Sequence, residues 1–176
     1  MNKQLRPRVL ISGCLTGLKV RYDGSHKESR WIIDELTKNF DIVPVCPEML
    51  AGMPAPRPTI DLHIDNLLDL NSIEAFNRVN HSINPTKAII AVADKFSFSN
   101  EPVHGFVGVS RSPSCAKQSA KVYLNNSLLR SNGAGLFVSS MTRNLPNLPV
   151  IEDEQLQYPE QLDLFIASVI RYFGTN

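Results

Sequence analysis

DIVPVCPEMLAGMPAPRP, residues 41 to 58, starts as a strand and ends as a wall. Ile42 to Val45 is a short apolar run. It stops at Cys46-Pro47-Glu48, because Pro47 lacks a backbone N–H and biases Cys46 away from helical geometry. A thiol and a carboxylate therefore stand on a loop just past a strand's carboxyl end, where open α/β sheets bind ligands. Beyond them comes Gly52, then Pro54, Pro56 and Pro58 bracketing Arg57. So stiff a segment confines one guanidinium and reads as one wall of a site. The plain alternative is a proline-rich surface loop.

Working outward, Arg8 to Ser12 is a buried strand that leaves through Gly13-Cys14-Leu15-Thr16-Gly17. The glycines suggest tight turns or close backbone approach, but the phosphate-loop signatures are absent. Ser29 caps a helix through Asn39, with Trp31, Ile32, Leu36 and Phe40 at helical spacing. Ile60 to Leu70 reads as strand or irregular, and Asn71 or Ser72 as the cap of a helix through about Asn80. Asn84-Pro85 opens a helix over residues 86 to 96. His104 to Ser110 is a third strand running into Arg111-Ser112-Pro113-Ser114-Cys115. A helix from about Asn132 to Arg143, a strand at Leu148 to Ile151 and a helix from Tyr158-Pro159 to about Tyr172 complete the chain. Leu162, Phe165, Ile166, Val169 and Ile170 form that last helix's expected core face. Strands alternating with helices imply βαβ units and a small, mostly parallel sheet.

Bulk composition narrows the function. The chain has 176 residues, 43% hydrophobic and 20% charged, which fits one globular domain over residues 1–176. A net charge of +1 gives no electrostatic reason to expect nucleic acid or an anionic membrane as partner. The longest apolar run, Ala88 to Ala93, falls far short of the roughly 20 residues that span a bilayer. Three apolar residues after Arg8 do not make a signal-peptide core, so a cytoplasmic location is expected.

Cys14, Cys46 and Cys115 are an odd number with no C-x-x-C pair, which argues against a disulfide framework or a zinc ribbon. Each follows a strand: Cys14 by two residues, Cys46 by one and Cys115 by five. In a parallel sheet those ends share one edge, so the three thiols converge. Three thiolates can ligate one zinc ion or three irons of a cubane cluster, and both leave a coordination position open. A fourth protein ligand would have to be His26, His63 or His104, none at ligand-like spacing. Ser12, Arg21, Asp23, Glu48, Arg57, Ser112 and Ser114 lie beside the thiols. Glu48, two residues from a ligand, is the first choice for proton transfer. Ser12, Asp23 and Arg57 are candidates for holding a substrate. Ser112 and Ser114 are candidates for chemistry or for bonding the turn backbone.

Five motifs carry a resemblance. They are Ile11-Ser12-x-Cys14-Leu15-x-Gly17, Val20-Arg21-Tyr22-Asp23-Gly24, Pro44-Val45-Cys46-Pro47-Glu48, Gly52-Met53-Pro54-x-Pro56-Arg57-Pro58 and Ser112-Pro113-Ser114-Cys115. In this order, over roughly residues 8 to 123, the chain resembles the thiouracil desulfurase family. The resemblance implies a non-redox desulfurase with a 4Fe–4S cluster held by Cys14, Cys46 and Cys115. The fourth iron is free to take sulfur from a small thiolated base such as 2-thiouracil. Glu48 and Ser112 or Ser114 are then the proton-handling residues. The expected fold is a three-layer α/β sandwich, Rossmann-like or flavodoxin-like. The competing class is a non-catalytic protein that holds a small ligand or metal in the same crevice. Oligomeric state is not legible in the sequence.

Overall fold

The computed structural model describes residues 5–66 and 72–175. In chain order, β1 (Arg8–Ser12) leads through a 3-10 turn at Gly13–Thr16 to α1 (Arg30–Thr37) and β2 (Asp41–Val45). A single turn, α2 (Pro47–Leu50), then β3 (Ile60–Ile64) and β4 (Glu74–Asn77) precede α3 (Thr86–Ser97). β5 (Gly105–Gly108), β6 (Ala120–Leu124) and β7 (Ser127–Gly133) follow. α4 (Leu136–Asn144), β8 (Val150–Glu152) and α5 (Pro159–Thr175) complete the order.

The four strands expected from sequence form one all-parallel sheet, β2-β1-β5-β8. Its carboxyl edge gathers the residues after Ser12, Val45, Gly108 and Glu152. Pro44 pairs in register with Ile11 on the edge strand β2, where a missing N–H costs least. Alternation along β1 sends Val9 and Ile11 to one core and Leu10 to the other. Ile32 and Leu36 of α1 and Leu162, Phe165 and Val169 of α5 share the first core; residues of α3 and α4 share the second. That is the three-layer sandwich.

A second sheet, β4-β3-β6-β7, adds to it. β3 pairs parallel with β6 and antiparallel with β4, while β6 and β7 form a hairpin. Ile60, Leu62, Ile64, Ala75, Ala120 and Val122 bury their side chains in the same core as α3 and α4.

This sheet accounts for the expectations that fail. Residues 74–77 are strand, not part of a helix ending near Asn80. Ala75 is buried with its N–H on Thr86 Oγ1 (2.7 Å), and Asn77 Oδ1 accepts the N–H groups of Val79 and Asn80, turning the chain. Asn71 and the end of the Ile60–Leu70 stretch lie outside the described residues. The helix expected from Asn132 begins at Leu136 instead, because residues 127–133 complete the hairpin. Asn125 and Asn126 both have positive φ, 49° and 62°, as a tight two-residue hairpin turn requires.

Two helix faces are also narrower than the sequence suggests. Trp31 and Ile170 stay 46% and 51% exposed, each about 100° around its helix from the buried Ile32 and Val169. Ser29 stands at the cap of α1 without a side-chain cap bond. Asn84 Oδ1 does cap α3, accepting the Thr86 N–H at 3.0 Å.

Candidate active site

All three cysteines open onto one cleft of about 530 Å³ at the carboxyl edge of the parallel sheet. Cys14 sits in the 3-10 turn after β1. Cys46 follows β2 and precedes α2, whose first residue is Pro47, so the proline that stops the strand also starts a helical turn. Cys115 lies on the loop after β5, where Ser112 Oγ accepts the N–H groups of Ser114 (3.2 Å) and Cys115 (3.0 Å).

That last loop is held on both sides. The first N–H groups of α4, which have no partner inside the helix, donate to it: Leu136 to the Pro113 carbonyl (2.9 Å) and Phe137 to the Ser114 carbonyl (3.1 Å). Gly108 and Gly135 let it approach. A Cβ on Gly108 would overlap the Cys115 carbonyl oxygen, and one on Gly135 would stand 2.8 Å from the Cys115 nitrogen. Gly108→Ala is therefore expected to cost about 3 kcal/mol or more, read as a lower melting temperature. A variant melting with the parent would mean that the loop shifts freely.

Burial raises all three thiols above their ordinary value. Burial pushes Cys14 up to about 11, with Cys46 adding and the Arg21 guanidinium opposing. Burial likewise raises Cys46, against the Met49 N–H and Arg57. Cys115 is raised well above its ordinary value, again by burial first, with a bond from Ser12 opposing. Cys46, Cys14 and Glu48 all act on Cys115 electrostatically, so the four groups face one another.

Glu48 is fixed through both carboxylate oxygens. Ser114 Oγ–H donates to Oε1 (2.9 Å), and Arg57 Nε–H donates to Oε2 (2.8 Å). The two ion-pair side chains are only 12% and 6% exposed. Arg57 spends its other donors locally: Nη1 on the Pro54 carbonyl (3.3 Å), and Nη2 4.0 Å from Cys46 Sγ. Its own backbone N–H reaches the Tyr22 carbonyl (2.8 Å). The proline-rich wall thus aims one guanidinium at a carboxylate and a thiol together.

The other sequence candidates take distinct places. Ser12 is buried, accepts the Val109 N–H (3.1 Å) and bonds Cys115. Ser112 lines the cleft, whereas Ser114 is fully buried behind Glu48. Asp23 does not line the cleft; its carboxylate turns to the Ser25 N–H (3.0 Å) and hydroxyl. The histidines lie elsewhere: His26 exposed beside Glu28, His63 stacked on Tyr123, and His104 accepting the Arg8 N–H (3.0 Å).

A sequence profile of the 2-thiouracil desulfurase family matches residues 9–153, from the start of β1 to the end of the cleft-forming edge. The chain belongs to the 2-thiouracil desulfurase family. A Bacillus subtilis (strain 168) relative, the uncharacterized protein YbbK, is 39% identical over 54 residues, 31% of this chain. The match spans 35% of that relative's length. The solved structure of a 4Fe–4S-dependent thiouracil desulfidase, TudS, aligns with a TM-score of 0.63 at 20% identity. The alignment covers 90% of this chain and 99% of that one, and it establishes the fold.

Two groups in this desulfurase-family chain escape a motif reading. Asp153, directly after β8, is buried and takes the Ser110 N–H (2.8 Å) and hydroxyl (2.7 Å) on Oδ1. Its Oδ2 meets Lys27 Nζ at 2.7 Å. Burial would raise the Asp153 carboxyl, but the Lys27 and Ser110 bonds outweigh it and hold the group below its ordinary value. The available signal was the strand-end rule, applied to the fourth strand as to the other three.

Proposed function

We propose that this chain hydrolyses the C–S bond of a small thiolated pyrimidine base of the 2-thiouracil kind, using a 4Fe–4S cluster held by Cys14, Cys46 and Cys115. The observation that carries this reading is three thiols from three strand-end loops lining one cleft, beside a carboxylate fixed through both oxygens. The donor set fits a cluster better than a lone ion. Among the described residues no three His, Cys, Asp or Glu side chains group closely enough to hold one metal ion. Thiols spread around a cleft suit a body that offers each its own iron. When bound, the cluster supplies a Lewis-acidic iron without a protein ligand, open to a substrate sulfur.

The protein's own part is proton handling. Hydrolysis turns C=S into C=O: the water oxygen stays on carbon, and both water protons leave with sulfur as hydrogen sulfide. Glu48 lines the cleft and shuttles a proton from the attacking water towards the departing sulfur. Ser114, buried behind it, and Arg57 beside it keep that carboxylate in one orientation. The chain works as one domain on a free small molecule and not on nucleic acid, in the cytoplasm, where its free thiols persist. Among the described residues no helix is long and apolar enough to cross a membrane.

The test is anaerobic reconstitution followed by iron and sulfide analysis and incubation with 2-thiouracil. About four irons per chain and equal yields of uracil and sulfide are expected. A protein that retains no iron overturns the reading. A loaded protein that leaves thiolated bases intact makes the crevice a binding site only.

A further inference from the structure

We propose that Lys27 is a further catalytic group of this cleft, the fixed cation that meets negative charge as it builds on the substrate; the proposal rests on the desulfurase reading above. Cations lining the cleft are Arg21, Lys27, Arg57, Arg78, Arg111 and Lys121. Most are committed or exposed. Arg57 is spent on Glu48. Arg78 and Arg111 pair with Asp61 and Glu154 through side chains 61% and 62% exposed, and Lys121 is exposed. Arg21 lies over the Tyr22 ring at 5.7 Å, with Asp23 no closer than 3.8 Å.

Lys27 is tied at both ends. Its backbone N–H donates to the Cys14 carbonyl (2.8 Å), and its Nζ meets the buried Asp153 Oδ2 at 2.7 Å. Asp153 cannot follow a wandering lysine, because Ser110 holds its other oxygen with two bonds. Glu154 stands 3.9 Å from Nζ, beyond hydrogen-bond reach. An ammonium has three N–H donors, so Asp153 leaves some to spare. The result is a positive charge held in place before reaction, which is the condition for electrostatic catalysis.

The chemistry calls for such a charge. Water adding to C2 of the thiolated base pushes the C2=S pair onto sulfur or, in the tautomer with C2 doubly bonded to N3, the C2=N3 pair onto N3 and the O4 conjugated with it. Glu48 is itself an anion and cannot offset that charge. Lys27 can, while Asp153 and Ser110 are positioning residues that hold it.

Barbiturate tests this, being a pyrimidine of uracil's size that is an anion at neutral pH. The loaded wild-type enzyme should bind barbiturate at least about 10-fold tighter than uracil in equilibrium dialysis. Lys27→Met should erase that preference while iron content and uracil affinity hold within about twofold. Its kcat on 2-thiouracil should fall about 10²–10³-fold, with KM little changed. Lys27→Arg should restore part of the preference, and Asp153→Asn should weaken it. Should Lys27→Met fail to load, the Arg and Asn variants carry the same comparison. Retained preference in Lys27→Met, or preference lost in step with uracil affinity, overturns the proposal. A wild-type enzyme that turns over thiolated base but shows no preference overturns it alone. One that turns over no thiolated base overturns the function reading as well.

Discussion

Serine in place of Cys14, Cys46 or Cys115 is expected to leave a folded protein without iron. Thiolate is the soft ligand that iron–sulfur clusters require, and a serine hydroxyl at the same point is a poor substitute. No described histidine lines the cleft to replace a lost thiol: His26 is at the surface, His63 and His81 pack against each other, and His104 accepts the Arg8 N–H. Each variant should therefore retain less than about a tenth of the parent's iron and visible absorbance after identical anaerobic reconstitution, with turnover down by about 10³ or more. The fold itself should survive at Cys46, which is only partly buried and donates a single weak bond, 3.7 Å to the Val20 carbonyl. At Cys115, inside the loop clamped by Gly108 and Gly135, some stability is lost too. Three variants that keep full iron would remove the cysteines from the cofactor site.

Glu48→Gln is the second large effect. Turnover per bound cluster should fall about 10²–10⁴-fold, the usual worth of a positioned acid or base. Glutamine is nearly isosteric: its oxygen can accept from Arg57 while its amide NH2 donates to Ser114 Oγ, so cluster loading should stay near normal. The competing reading makes Glu48 a brace that pins the proline-rich wall through Arg57. A brace predicts the reverse: a lower melting temperature and poorer loading, with normal activity for each cluster that remains. Ser114→Ala separates the two further. It removes only the bond behind Glu48, so a positioning role predicts a smaller loss, of about 10-fold, in kcat. Normal turnover per cluster in the glutamine variant takes Glu48 out of the mechanism.

The parallel sheet was legible because each of its strands is announced locally. RVLIS and DIVPV are apolar runs closed by glycine or proline, and α1 between them carries a periodic face that buries Ile32 and Leu36. The second sheet speaks less clearly. β3 and β6 find each other in parallel across a long stretch of chain, and each alternates over only five residues, with His63 and Lys121 at outward positions. EAFN looks helical until β3 lies beside it. The Asn125-Asn126 turn is the one local signal that could have revealed the β6–β7 hairpin.

At the site, the strand-end rule alone places Cys14, Cys46 and Cys115 at one edge. It could not assign the partners of charged groups. Arg57 is a candidate for holding a substrate in the sequence, and its Nε–H pairing with Glu48 is visible only in the fold. Asp23 looked like part of the crevice, but a two-residue turn to Ser25 pulls it away. Asp153 looked like one of several acids near the end of the chain, and only burial against Ser110 and Lys27 distinguishes it. Such pairings are three-dimensional choices among near-equal candidates, and composition does not decide them.

The edges of the two sheets differ in how they would treat another chain. The parallel sheet ends in Pro44 on one side, which has no hydrogen to offer, and in a strand of three residues, Val150–Glu152, on the other. Both are poor templates for strand addition. The second sheet ends in Ser127–Gly133, seven residues long, with Leu128 and Leu129 facing solvent at 54% and 38% exposure. Of these edges, β7 offers another strand the longest run of backbone to pair with.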